Sequence, residues 1–186
     1  MAIGGSWKGV SLFDTITREP LGTLDFPEHV LSLDISRDGE HLLAGGLSGT
    51  IRLWHLPTQA ILATTKLQGS VETLAFSPDG CRFVAGGSDR QCSFFEMSAD
   101  AADAKPIILS DIVEHLDWGT NGLLAITTAD GSAGLWDVHT RRAVGPPLPV
   151  HAVLTRFAAD GTTMLTASPQ QGLTCWRVPT VQFHDR

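Results

Sequence analysis

The sequence predicts an all-β protein built from a repeated unit of four short antiparallel strands, and two markers that recur in step predict it. Asp-Gly or Asn-Gly dipeptides begin at residues 38, 79, 121 and 160. A bulky aromatic residue follows each dipeptide at a nearly constant distance, at Trp54, Phe95, Trp136 and Trp176. Both markers repeat about every 41 residues, which is typical of stacked β-sheet units. No segment has the apolar spacing of an amphipathic helix.

The first strand of each unit is a short apolar run that ends at the turn dipeptide. Residues 71–80, VETLAFSPDG, lie over residues 30–39, VLSLDISRDG, and Val113 begins a third copy. Both residues of an Asp-Gly or Asn-Gly pair tolerate the positive φ angles of a tight hairpin. Each dipeptide therefore predicts a hairpin between the first and second strands.

The remaining strands follow in order within each unit. The second strands cover 42–44, 83–85, 123–126 and 164–166, and the aromatic-bearing third strands cover 51–54, 93–95, 134–136 and 174–176. Weaker fourth strands cover 60–63, 107–109 and 143–144. Apolar residues occur on both faces of these strands, as expected when neighbouring sheets cover each sheet on both sides. Repeated four-stranded units of this length predict the blades of a β-propeller.

Two segments carry a resemblance to a known family. Residues 74–80, LAFSPDG, match the first-strand motif of WD (Trp-Asp) repeats, and residues 134–138, GLWDV, match their third-strand ending. The units therefore resemble divergent WD repeats, similar to those of bacterial members of the family. The resemblance implies a propeller of four-stranded antiparallel blades whose loops bind proteins.

The sequence also departs from the family pattern. The Trp-Asp pair is literal only at Trp136-Asp137, and the Gly-His dipeptide that precedes the first strand in the family is absent from every unit. The resemblance would imply a tetrad of hydrogen-bonded His, Asp, Ser/Thr and Trp in each blade. Because no His stands at its position, we do not transfer the tetrad and expect packing to hold the blades together.

The repeat divides 186 residues into about four and a half blades. We expect a partial blade at 1–24, blades at 25–64, 65–109 and 110–148, and a blade at 149–186 that lacks a secure outer strand. The chain is then a segment of a larger propeller, an arc closed by a second chain, or a four-bladed ring. In the ring, residues 21–24 would be the outer strand of the last unit. A truncated gene fragment with no independent role is a further alternative.

The composition of the sequence limits the kinds of partner and the cellular compartment that we expect. There are 13 Lys and Arg against 20 Asp and Glu, a net charge of −7, which disfavours binding to nucleic acid. No apolar run approaches the roughly 20 residues of a membrane span, and no signal peptide is visible. Three cysteines do not form a disulfide framework, and we expect Cys81 and Cys92 to be buried, inert thiols. We expect a cytoplasmic protein without a membrane partner.

The functional motifs of enzymes are missing from the sequence. The seven histidines have no metal-ligand spacing, and neither a phosphate-binding loop nor a nucleophile elbow is present. We therefore expect no catalytic residue, no metal and no cofactor. The alternative is an enzyme or a binder of metal or small ligands with a site in the central channel, where Glu72, Glu114 and Arg156 are the polar exceptions among the first-strand residues.

The sequence favours a non-catalytic interaction scaffold of a signalling type, which binds protein partners or a second copy of itself. Loops of a rigid repeat fold are the usual sites of such contacts. The loops that precede first strands and those that follow second strands supply the candidate partner-binding residues, which are Asp25, Glu28, His29, Ser48, Asp89, Arg90, Asp111, Asp130 and His151.

Overall fold

The computed structural model describes residues 2–4, 9–97 and 105–178, with residues 2–4 described by their backbone alone. Every regular element among them is a β-strand, and the strands form five antiparallel sheets. Sheet 1 contains β1 (Ala2–Gly4), β2 (Gly9–Phe13) and β3 (Pro20–Asp25). Sheet 2 contains β4 (Val30–Ile35), β5 (His41–Gly46), β6 (Thr50–His55) and β7 (Ala60–Lys66).

The other three sheets follow in chain order. Sheet 3 contains β8 (Val71–Phe76), β9 (Arg82–Gly87), β10 (Gln91–Glu96) and β11 (Ile107–Ile108). Sheet 4 contains β12 (Val113–Trp118), β13 (Leu123–Thr128), β14 (Ala133–Asp137) and β15 (Arg142–Ala143). Sheet 5 contains β16 (Leu154–Phe157), β17 (Thr163–Ser168) and β18 (Gly172–Arg177). The prediction of an all-β protein with antiparallel blades is confirmed, and the five sheets form an incomplete propeller.

The pairing of residues 21–24 with the last unit, which the four-bladed ring would require, does not form among the described residues. These residues belong to β3, which pairs with β2, where Val10 lies opposite Leu24. The four-bladed ring is therefore not the arrangement that the chain adopts, because the hairpin between β2 and β3 is local and costs little loop-closure entropy. Residues 180–183, a candidate outer strand of sheet 5, lie outside the described residues.

Each turn dipeptide lies between a first and a second strand as predicted, but only its glycine adopts a positive φ angle. Gly39, Gly80, Gly122 and Gly161 have φ angles of 77°, 70°, 73° and 67°. In the first of these turns, the Ser36 hydroxyl donates to Asp38 Oδ1 at 2.5 Å, and the same oxygen accepts from the backbone N–H of Glu40 at 2.9 Å. The Asp therefore holds the turn through its own side chain, while the Gly takes the left-handed conformation.

Consecutive sheets pack face to face, and one apolar cluster fills each of the four junctions. The third-strand aromatic of every sheet from 2 to 5 packs on the sheet before it. Trp54 joins Val10 and Leu12 of sheet 1, and Phe95 joins Leu43 and Ile51 of sheet 2. Trp136 packs on the cluster formed with sheet 3, and Trp176 on the cluster formed with sheet 4. The predicted aromatic set is therefore core, as large rings that fill the space between sheets should be.

We call the face of each sheet that contacts the preceding sheet its rear face, and the opposite face its front face. Polar links between first strands supplement the apolar packing. Asp34 accepts the backbone N–H of Phe76 at 2.7 Å, and Thr73 Oγ1 accepts that of Leu116 at 3.1 Å. These bonds join sheet 2 to sheet 3 and sheet 3 to sheet 4, so the stack is held in register as well as packed.

Candidate functional site

The strand order places the loops on two edges of the stack. The link edge carries the links between sheets and the turns between second and third strands. The hairpin edge carries the turns between first and second strands and those between third and fourth strands. All nine predicted partner-binding residues lie on the link edge. Eight of them lie at three separate junctions between a link and a turn, and the ninth, Asp25, ends β3.

Glu28 has a structural role at the first of these junctions. Its carboxylate accepts hydrogen bonds from the backbone N–H groups of Ser48 and Thr50, the latter at 2.9 Å. Burial opposes ionisation of Glu28, but the hydrogen bonds from Ser48 and Thr50 outweigh it and hold the pKa of this carboxyl below its usual value. Glu28 thus ties the link before β4 to the turn after β5, a connection between residues about 20 positions apart.

Asp130 holds the corresponding turn of sheet 4. Its Oδ1 accepts from the Thr128 hydroxyl at 2.7 Å and from the backbone N–H of Ser132 at 2.9 Å, and its Oδ2 accepts from Ser110 at 3.1 Å. The backbone hydrogen bond from Ser132 and the side-chain bond from Thr128 lower the pKa of Asp130 to about 2. Like Glu28, this carboxylate is engaged within the protein.

The other link-edge candidates differ in how far they are exposed. Asp89 and Asp111 are half-buried, and each accepts a hydrogen bond from a nearby backbone N–H group. Asp25, His29, Ser48, Arg90 and His151 are exposed. The structure brings Ser48 against Glu28 and places His151 beside Gly131, next to Asp130.

A groove of about 840 Å³ lies on the opposite, hairpin edge, where no binding residue was predicted. Three turns form it, at 77–79, 119–122 and 160–163, from sheets 3, 4 and 5. Arg82, Trp118, Val138, His139, Arg177 and Val178 complete its lining. The Arg82 guanidinium lies over the Trp118 ring, 5.3 Å from the ring centroid, a cation–π contact that fixes its position.

The sequence contains a signal for this groove, because its three turns are the recurring Asp-Gly and Asn-Gly dipeptides. Sequence reasoning took these dipeptides only as folding signals. Their carboxylates are indeed engaged locally: Asp79 accepts from Ser77 at 2.5 Å, and Asp160 accepts from the Thr162 backbone at 2.9 Å. What could not be read from the sequence is that three turns about 40 residues apart enclose one concave surface.

The polar first-strand residues that were candidates for a central site are each exposed or engaged by a neighbouring residue. Glu72 accepts from the Ser70 hydroxyl at 2.6 Å, Glu114 is exposed, and Arg156 pairs with Asp117 at 2.9 Å. His115 Nδ1 is buried without a hydrogen-bond partner among the described residues, and burial lowers the pKa of this imidazole to about 4. Within residues 9–97 and 105–178, no group of three His, Cys, Asp or Glu is placed to hold a metal ion.

The three cysteines are free and differ in environment. Cys92 is buried and lies opposite Gly86, whereas Cys81 and Cys175 are exposed. The expectation that Cys81 and Cys92 are both buried is therefore wrong for Cys81, which lies in the turn after Gly80 and is exposed. Burial raises the pKa of the Cys92 thiol, which makes it unreactive.

Comparison with known proteins identifies the repeats. The family model described as "WD domain, G-beta repeat" matches residues 18–55 and 61–96. The chain contains WD repeats. It is 29% identical over 152 residues to pre-mRNA-processing factor 19 of Schizosaccharomyces pombe, a match that covers 81% of this chain and 30% of the relative.

Two further relatives agree with this assignment. The chain is 27% identical over 172 residues to eukaryotic translation initiation factor 3 subunit I of Drosophila grimshawi, covering 83% of the chain and 52% of the relative. It is 26% identical over 119 residues to guanine nucleotide-binding protein subunit beta-5b of Danio rerio, covering 60% of the chain and 30% of the relative. The WD-repeat chain thus spans between about a third and a half of the length of these relatives.

The three relatives come from a yeast, a fly and a fish, so they give no support to the expected similarity to bacterial repeats. The divergence from the family motifs is real, but it does not point to bacteria. In the described part of the WD-repeat chain, no helix has the length and apolar character needed to cross a membrane.

Proposed function

We propose that this WD-repeat protein is a non-catalytic scaffold that binds other proteins, and that the groove on the hairpin edge is its main docking surface. The observation that carries the proposal is the groove itself. Turns from three sheets line it, and the second strands of two of these sheets, β9 and β13, are almost entirely buried. A rigid base with exposed polar turns favours specific docking because little ordering is needed when the partner binds.

The relatives support a role within assemblies. Two of them are named as subunits, one of a translation initiation factor and one of a guanine nucleotide-binding protein. We infer from this a protein partner for the present chain. The signalling role, the cytoplasmic location and the exclusion of nucleic acid and membrane partners remain proposals, and the net charge of −7 supports the last of them.

The link edge is proposed as a second contact surface. Of its nine candidates, Glu28 and Asp130 are better explained as residues that hold turns, and Asp89 and Asp111 bond locally. The exposed members, Asp25, His29, Ser48, Arg90 and His151, keep the role that the sequence suggested. The division into units at 25, 65, 110 and 149 likewise stays a prediction.

Site-specific photocrosslinking tests the proposal. A photoreactive residue replaces Thr162 in the groove, His151 on the link edge, or Ile108 on an outer strand, and each variant is expressed in the cells that naturally produce the protein. We expect a discrete protein adduct from position 162, a weaker one from 151 and none from 108. Equal adducts from 162 and 108 would contradict docking in the groove.

Metal analysis of the purified chain separates the scaffold from the enzyme or metal-binder alternative. A scaffold is expected to carry metal well below one ion per chain. One tightly held ion per chain, retained through gel filtration, would instead favour a catalytic or ligand-binding site and would count against the scaffold.

A further inference from the structure

Two arginine side chains line the groove on the hairpin edge without a hydrogen-bond acceptor of their own. The Arg82 guanidinium lies over the Trp118 ring, and no hydrogen bond or ion pair joins it to another residue in the described part of the chain. Arg177 is exposed, and its guanidinium likewise has no such partner among the described residues. A guanidinium has N–H donors and no acceptor. The two side chains therefore bring donors to the groove that the protein itself does not use.

The two carboxylates in the groove are, in contrast, engaged within their own turns. Asp79 Oδ1 accepts from the Ser77 hydroxyl at 2.5 Å and from the backbone N–H of Cys81 at 2.9 Å. Asp160 accepts from the backbone N–H and from the hydroxyl of Thr162, both at 2.9 Å. The formal charges of the two arginines and the two aspartates cancel, but their hydrogen bonding does not. The aspartates already have donors, whereas the arginines lack acceptors.

Arg82 is held in the groove by an aromatic ring rather than by a carboxylate. A hydrogen bond within its own turn, more than the charge of Arg82, lowers the pKa of Asp79, and the two side chains form no ion pair. The Arg82 guanidinium instead lies 5.3 Å from the Trp118 ring centroid. Trp118, Val138 and Val178 are buried apolar members of the lining. Apolar neighbours strengthen a charge-assisted hydrogen bond because they lower the local dielectric constant.

A smaller depression of about 260 Å³ adjoins the groove and extends it towards sheet 2. It shares Pro78 and Asp79 with the groove, and Arg37, Asp38 and Gly80 complete its lining. Asp38 again accepts hydrogen bonds from its own turn. The exposed Arg37 has no hydrogen bond or ion pair to its guanidinium within residues 9–97 and 105–178. The unused donors thus extend from sheet 5 through sheet 3 to sheet 2.

We propose that this surface binds an extended segment of a partner protein whose Asp or Glu side chains pair with Arg82 and Arg177, and with Arg37 where the segment reaches the depression. The inference rests on the proposed function and specifies the chemistry of the partner that docks in the groove. A carboxylate accepts parallel N–H bonds from the fork of a guanidinium. A basic segment would instead add donors to a surface on which donors are already unused.

Selection of random short peptides displayed on phage supplies the probes for the test. Peptides are selected on the wild-type chain and then screened against Thr120→Trp, which fills the groove from an exposed position in its lining. We expect the peptides that bind wild type but not Thr120→Trp to be richer in Asp and Glu than the starting library. Enrichment of Lys and Arg in these peptides, or no enrichment of acidic residues, would overturn the proposal.

Binding of one selected peptide, measured by fluorescence polarisation, tests each arginine. Arg82→Gln and Arg177→Gln should each weaken binding about tenfold, because each removes one charge-assisted pair. Arg90→Gln is the matched control, since Arg90 is exposed on the link edge, and it should bind like wild type. Arg177→Gln keeps the test decisive, because Arg177 has no hydrogen bond or ring contact to lose among the described residues, whereas Arg82→Gln also loses the contact with Trp118.

Changes in the peptide identify the acceptor. Glu→Gln at the paired position of the peptide should weaken binding to wild type about tenfold. The same change should have little effect on the variant that lacks the paired arginine, because the interaction is already gone. If Glu→Gln has no effect and phosphoserine at that position strengthens binding, the arginines bind a phosphorylated partner and the assignment to a carboxylate is overturned.

The same variants separate failure of this inference from failure of docking in the groove. Loss of binding in Thr120→Trp, with no loss in Arg82→Gln and Arg177→Gln, would leave the groove as the docking surface and overturn the acidic partner. Equal binding of every selected peptide to wild type and to Thr120→Trp would count against the groove itself, and the proposed function would fall together with this inference.

Discussion

The carboxylate of Asp117 accepts a hydrogen bond from the backbone N–H of Phe157 at 2.5 Å and thereby ties sheet 4 to sheet 5. The same carboxylate accepts from the Arg156 guanidinium at 2.9 Å. Asp34 makes the equivalent backbone bond to Phe76, between sheets 2 and 3. A first-strand carboxylate thus joins one sheet to the next at two of the junctions, between sheets 2 and 3 and between sheets 4 and 5.

Asp117→Ala should destabilise the fold by about 1–3 kcal/mol, because it leaves the partly buried N–H of Phe157 without its acceptor. Arg156→Ala should cost less than about 1 kcal/mol, since the Arg156 side chain is 59% exposed and its charge is screened by solvent. Urea unfolding followed by far-UV circular dichroism measures both. Equal losses in the two variants would show that the ion pair, not the backbone bond, holds the junction.

Phe95→Ala should cost about 3–5 kcal/mol, because it opens a cavity in the junction between sheets 2 and 3. The Phe95 ring is buried and stacks on Phe83 with ring centroids 4.7 Å apart. Ile61→Ala, on the exposed outer strand of sheet 2, should change the free energy of unfolding by no more than about 0.5 kcal/mol. Thermal and urea unfolding measure the stability of both variants. A similar loss of stability in the two would contradict the assignment of the third-strand aromatic to the core.

Asp130→Ala should destabilise the fold at neutral pH and progressively less as the pH falls. The folded pKa of Asp130, about 2, lies below its usual value of 3.8. The stabilisation by the carboxylate is therefore complete above about pH 4 and is lost between about pH 4 and pH 2. Because the group is exposed, we expect a difference of less than about 1 kcal/mol at pH 7.

The measurement for Asp130 is a series of urea titrations of wild type and variant from pH 7 down to the acid limit of the fold. Ile61→Ala is the control, since it changes an exposed side chain that does not ionise, so its difference from wild type should not depend on pH in this range. A constant difference for Asp130→Ala across pH 4 to 2 would contradict the assigned role of its ionised form.

Cys92 should resist thiol reagents until the protein unfolds. It is fully buried in the junction between sheets 3 and 4, and burial raises the pKa of its thiol. Cys81 and Cys175 should react in the native, dilute protein, so a colorimetric thiol assay should count two fast thiols and release the third only in denaturant. Three fast thiols in the native state would show that this junction opens readily.

Much of the fold was predictable because its information is local. A few neighbouring residues are enough to predict each Asp-Gly turn, each strand length and the aromatic residue in the third strand of each unit. The period of these features defines the repeated unit. The role of Glu28 was not predictable in this way. The residue was a candidate for partner binding on grounds of position, but its hydrogen bonds reach a turn that lies beyond an entire hairpin.

The same distinction between local and long-range information applies to the candidate site. Link-edge residues could be named from the order of strands alone, since that order fixes which loops share an edge. The groove on the hairpin edge requires the relative placement of three sheets, and the position of Arg82 over Trp118 requires contact between two of them. Neither the groove nor this contact can be predicted from the residues of a single repeat.

The sequence by itself determined that this chain is a series of four-stranded WD-type units with an aromatic core position in each. Period and turn chemistry act within about 41 residues, so one repeat suffices to read them. Only the tertiary structure decided which surfaces remain for other molecules. Leu43 and Leu165 occupy the same position in their units, yet one is fully buried and the other is 45% exposed. Burial depends on whether a neighbouring sheet is present, and that is a property of the stack, not of the repeat.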